Sequence, residues 1–123
     1  MNQREIKFRA WDKEKKKMRY PEVLVWGTDG LKVWRFFDEM IKLPELPPKQ
    51  DIILMQFTGL KDKDGKEIWE GDILGKGTAE RYEVDFQDGA FVIHTRFYGV
   101  KCLNEFAYLE VIGNIYENPE LLK

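Results

Sequence analysis

The sequence predicts a mainly β fold with minor α. It has a short N-terminal hairpin region and, in the second half, a small barrel-like, strongly bent antiparallel sheet. Three observations predict this. Short apolar runs alternate with polar residues at the period of half-buried strands. Gly, Pro, Asn and Asp punctuate those runs at short intervals. Aromatic residues make up 14% of the chain, and such side chains favour strands and interfaces. A length of 123 residues fits one domain that buries its core without metals or disulfides. The expected organisation is a single domain over 1–123, with N-terminal strands and a short helix over 1–42, a Pro-rich crossing over 43–51 and the barrel-like β part over 52–123.

The first strand rests on alternation: Ile6, Phe8 and Ala10 on one face, Lys7, Arg9 and Trp11 on the other. Asp12 to Lys17 is a charged turn, and Met18-Arg19-Tyr20 returns as the partner strand. Pro21 discourages a long continuation. Val23-Leu24-Val25-Trp26 reads as a strand that ends at the turn Gly27-Thr28-Asp29-Gly30. Over 31–42 the spacing of Val33, Phe37, Met40 and Ile41 predicts a short helix, with Arg35, Asp38, Glu39 and Lys42 opposite. The aromatic start of that segment also reads as a strand. Pro44, Pro47 and Pro48 then forbid a helix interior and stiffen the crossing.

The second half reads as strands separated by turns. Residues 52–60 are apolar and β-rich, and Asp62-Lys63-Asp64-Gly65 closes a hairpin with Gly65 left-handed. Glu70-Gly71-Asp72 makes a corner, and Gly75-Lys76-Gly77-Thr78 turns again. Asp88-Gly89 is the preferred pair for a two-residue type I′ turn. It sets Gln87 against Ala90, Phe86 against Phe91, Asp85 against Val92, Val84 against Ile93 and Glu83 against His94. Phe86, Phe91, Val84 and Ile93 then share the expected core face. Residues 106–109 and 110–116 supply the last strands, and Asn118 caps a final helical turn begun by Pro119.

Net charge is −2, which does not by itself suggest nucleic acid or membrane. It is unevenly spread: residues 1–20 carry eight Lys/Arg against three Asp/Glu, and residues 21–123 carry twelve against nineteen. Lys7, Arg9, Trp11, Lys13, Lys15, Lys16, Lys17 and Arg19 are therefore the candidate contacts for nucleic acid or a partner protein. Cys102 is the only cysteine, which excludes an internal disulfide and fits a reducing cytosol. With no apolar leader and no span of membrane length, the expected location is cytoplasmic.

No catalytic set stands out. His94 is the only histidine and reads as a cross-strand partner of Glu83. Two His/Cys residues in all do not make a zinc site. An EF-hand aligned on Gly65 puts Leu60 and Gly71 where carboxylates are required. Glu70 and Asp72 read as acceptors for turn amides rather than as an acid–base pair. The expectation is no catalytic, cofactor or metal residue and no cofactor.

Three segments together resemble the YopX-like family of small phage and prophage proteins. They are Arg4-Glu5-Ile6-Lys7-Phe8-Arg9-Ala10-Trp11-Asp12, the run from Met55 to Leu74, and Val111-Ile112-Gly113-Asn114-Ile115-Tyr116-Glu117-Asn118-Pro119-Glu120-Leu121-Leu122. The resemblance implies a phage or prophage gene and a mostly β fold with a compact barrel-like part. It brings no catalytic residue or cofactor with it. The leading expectation is a non-enzymatic, homo-oligomeric interaction module acting as a phage accessory protein, with a second copy of itself or a phage or host protein as partner. The alternative is a small β-barrel that binds nucleic acid, and an enzyme built on Glu70, Asp72, Glu83 or His94 is a third reading.

Overall fold

A computed structural model describes residues 3–37, 49–76, 80–95 and 98–122. Strands account for 60% of these residues and short 3-10 turns for 7%. The chain divides into two compact units, one of Phe8–Met55 and one of Met1–Lys7 with Gln56–Lys123.

In the first unit, β1 (Phe8–Asp12) and β2 (Lys17–Arg19) form a hairpin in which Ala10 faces Arg19, Trp11 faces Met18 and Asp12 faces Lys17. Asp12 organises its turn. Its Oδ1 accepts the backbone N–H groups of Glu14 and Lys15, each at 3.0 Å. Its carbonyl accepts Lys16 N–H at 2.7 Å, with Lys16 left-handed at φ 53°. This is the carboxylate-to-turn bonding that favours Asp at such positions.

β3 (Pro21–Gly27) and β4 (Gly30–Phe36) form the second hairpin. The helix expected over 31–42 is therefore a strand as far as Phe36, and 38–48, with most of the Pro-rich crossing, lies outside the described residues. The cause is legible in the register, which shifts on both sides of Val23. Such irregularities re-aim side chains between faces. Val33 and Phe36, three apart, are both buried with Ala10, and Leu24, Ile52 and Leu54 pack against them. Strand irregularity thus produces the apolar spacing that reads as helix. Pro21 opens β3, the end of a strand where a missing N–H is tolerated.

β5 (Ile52–Lys61) begins in this unit, where Asp51 O accepts Lys13 N–H at 3.0 Å. Its second half belongs to the other unit and pairs with β6 (Glu67–Trp69). The expected turn between them forms. Gly65 has φ 83°, and Asp62 O accepts Gly65 N–H at 3.0 Å.

The main sheet of the second unit has the order β10-β9-β8-β7-β11 and curls strongly into a half-barrel. Its strands are β7 (Asp72–Lys76), β8 (Glu80–Gln87), β9 (Ala90–Thr95), β10 (Gly99–Cys102) and β11 (Glu110–Asn114). The Asp88-Gly89 hairpin has the predicted register from Gln87↔Ala90 to Glu83↔His94. Both turn residues have positive φ, 52° and 80°, as a type I′ turn requires. Ile68, Leu74, Val84, Ile93, Leu103 and Leu109 form the core.

Four local expectations are corrected. Phe86 was expected in the core but is 50% exposed, because it sits at the hairpin tip, while Val92 on the other face is buried. The turn expected from Gly75 is strand through Lys76. Gly75 serves packing, since a Cβ there would lie 2.8 Å from both Glu80 O and Ile112 Cδ1. The strand expected over 106–109 is a pair of turns following the 3-10 turn Leu103–Glu105, with Leu109 N–H donating to Phe106 O at 3.1 Å. Asn118 does precede the 3-10 turn Pro119–Leu122, but its side chain accepts Asn114 N–H at 3.1 Å rather than capping that turn. β10 had no counterpart in the sequence reading.

Candidate functional site

The basic N-terminal residues separate into engaged and exposed groups. Arg9 and Arg19 are buried. Arg19 Nη1 donates to Asp12 Oδ2 at 3.0 Å, and its guanidinium lies 4.0 Å from the centre of the Phe36 ring. Burial alone would raise the Asp12 carboxyl, but the Lys15 amide, Arg19 and the Glu14 amide outweigh it and hold the group below its ordinary value. Lys13, Lys15, Lys16 and Lys17 are exposed around the β1–β2 turn, and Trp11 is half-buried in β1. The hairpin therefore presents lysines, while both arginines stay inside.

Lys7 lies in the other unit. Its ammonium pairs with Glu67 and with Glu5, the latter at 3.0 Å, and sits 4.8 Å from the Phe57 ring centre and 5.8 Å from that of Trp69. The Glu67 and Glu5 carboxylates raise its pKa. Lys7 is thus a half-buried cation held in an acidic and aromatic setting.

The sequence reading missed an aromatic surface in the second unit. Tyr98 is 78% exposed and Tyr108 58%. Phe106 stacks on Tyr108 at 6.1 Å and meets Tyr82 at the same distance. Burial, then Glu80 and the neighbouring Tyr108, raise the Tyr82 phenol. Tyr98 leads into β10, an edge strand whose four residues are all exposed. The available signal was Tyr98-Gly99-Val100, an aromatic and a β-branched residue about a glycine, which the sequence reading did not take as a strand.

The acidic candidates hold the fold. Asp72, buried, accepts Trp69 N–H at 2.8 Å. Glu70 Oε1 accepts the Gln56 N–H of β5 at 2.8 Å. His94 faces Glu83 in register, but its ring Nε2 meets Asp85 Oδ2 at 3.0 Å. The expected His94–Glu83 pair is thus replaced by the diagonal neighbour, which lies within reach of a long side chain on a twisted ladder. Burial raises both Glu70 and Glu83, and the Asp85 charge adds to each. Cys102 is exposed and pairs with Val92, not His94. Among the described residues no group of three or more His, Cys, Asp or Glu is placed to hold a metal ion, and no helix is long and apolar enough to cross a membrane.

Comparison with known proteins gives a consistent kinship. The sequence model of the family described as "YopX protein" matches residues 7–123. The crystal structure of protein EF1440 from Enterococcus faecalis is similar at 32% identity and a TM-score of 0.69, covering 98% of this chain and 100% of that one. The crystal structure of protein yopX from Bacillus subtilis is similar at 27% identity and a TM-score of 0.62, covering 100% of this chain and 98% of that one. No curated protein matches the chain.

Proposed function

The chain belongs to the YopX family, and from that premise we propose that it is a non-enzymatic interaction module, assembling with copies of itself as a phage or prophage accessory protein. The observation that carries this reading is the edge strand β10, exposed at all four residues, with the exposed Tyr98 directly before it. An edge strand offers unpaired backbone N–H and C=O groups to another strand. An antiparallel edge is self-complementary about a twofold axis, the symmetry of the commonest soluble oligomers. Exposed aromatics supply the apolar anchors that such interfaces favour. The Glu70 and Asp72 carboxylates, by contrast, are occupied by backbone amides.

Light scattering during size-exclusion chromatography tests the reading. A particle mass of at least twice 14.6 kDa at micromolar concentration is expected. A mass equal to one chain would remove self-assembly from it.

A further inference from the structure

We propose that the β2 edge of the β1–β2 hairpin binds single-stranded nucleic acid, with bases stacking on Tyr20 and Phe37 and phosphates meeting Lys17 and the lysines of the turn. Strand alternation places Ala10, Asp12 and Arg19, all buried, on the inner face of the hairpin. Trp11 and Met18, which face each other in register, lie on the other side with Tyr20 and with the buried Arg9, so that side opens to solvent at β2.

Tyr20 is 53% exposed and Phe37 69%. Phe37 N–H donates to the Tyr20 carbonyl at 3.1 Å, which fixes the two residues side by side. Together with Lys17, Met18 and Arg19 they line an open hollow of about 150 Å³. The turn and the first residue of β2 carry four exposed lysines, Lys13, Lys15, Lys16 and Lys17, against one exposed carboxylate, Glu14. Asp12 does not offset them at the surface, because its oxygens are taken by Arg19 and the turn amides.

Flat aromatic faces beside point cations are the two elements of sequence-tolerant single-strand binding. The choice over an acidic protein surface rests on the aromatics, which give a base something to stack on and give a carboxylate nothing. The choice over duplex rests on the same point, since paired bases cannot reach a surface platform.

Fluorescence anisotropy of a short labelled oligo-dT, titrated with the full chain at several salt concentrations, tests the proposal. If three lysines meet phosphates, log K is expected to fall with log salt at a slope of about −2. Tyr20→Ala and Phe37→Ala are each expected to weaken binding about tenfold, the effect of one lost stacking contact. The pair Lys15→Gln with Lys16→Gln, both on exposed positions, is expected to flatten the slope by about 1.4. Absence of binding at low salt would overturn the proposal, as would affinity unchanged by both aromatic substitutions. Heparin or a duplex of equal length binding as tightly as oligo-dT would also overturn it, by reducing the surface to bare charge.

Discussion

Asp62 Oδ2 accepts the backbone N–H of Val111 at 2.9 Å, across 49 positions of sequence. The same carboxylate takes Asp64 N–H at 2.9 Å and Lys66 N–H at 2.8 Å through its other oxygen. One side chain thus closes the β5–β6 turn and fastens it to the last strand of the sheet. Two of the segments that carry the family resemblance meet at this point.

Asp62→Ala leaves three backbone donors without their acceptor. Unmet donors at partly buried sites cost about 1 kcal/mol or more each, so a loss of about 2–4 kcal/mol is expected. Urea denaturation gives the value. A loss below about 1 kcal/mol would show that water replaces the carboxylate freely.

The acid response should have two limbs. Burial opposes the charge of Asp62 and of Asp12, but backbone amides, with Arg19 at Asp12, outweigh it, so both folded carboxyls titrate below their ordinary 3.8. Their contribution is present above that value and is lost as pH falls through the folded pKa. Glu70 and Glu83 behave oppositely. Burial and Asp85 raise both above the ordinary 4.5, so the folded state takes up their protons first. Stability should therefore rise slightly as pH falls from neutral towards 4.5, then decline below about 4. Glu70→Gln with Glu83→Gln should flatten the first limb and leave the second. A monotonic fall from neutral pH in the native chain would contradict the assignment.

Phe86 and Ile93 occupy one face of one hairpin yet should differ sharply. Ile93 is fully buried, so Ile93→Ala should cost about 2–4 kcal/mol. Phe86 is half-exposed and meets Phe91 edge-on at 5.1 Å, so Phe86→Ala should cost about 1 kcal/mol. Thermal unfolding of the two variants checks the order, and equal losses would place Phe86 in the core after all.

Gly113 and Asn118 should couple. A Cβ on Gly113 would lie 2.5 Å from Asn118 Oδ1 and 2.8 Å from its Cγ, displacing the side chain that accepts Asn114 N–H. Gly113→Ala should cost about 2 kcal/mol in the native background and clearly less in Asn118→Ala. Additive losses in a double-mutant cycle would place the strain elsewhere.

Turn chemistry made much of this fold legible in the sequence. Asp88-Gly89, Asp62 to Gly65 and Glu70-Gly71-Asp72 each specify backbone geometry locally, and each corner forms where the residues require it. Legibility failed where a long-range property decided. Val33 and Phe36 share a core only because the register shifts beside Val23. His94 chooses Asp85 over Glu83 through strand twist. The basic head read as one cluster, yet Arg9 and Arg19 are buried and Lys7 serves Glu67 and Glu5. Charge counting along a chain does not reveal which cations are consumed internally. The aromatic cluster went unread because Tyr82, Phe106 and Tyr108 come together only after the sheet curls.

Self-association through the β10 edge is tested most directly by backbone amide hydrogen exchange at Gly99–Cys102, measured at low and high protein concentration. Exchange at these residues is expected to slow as concentration rises, and Tyr98→Lys is expected to abolish that protection. Exchange that is fast and identical at both concentrations would leave β10 an open edge and rule out self-association through it.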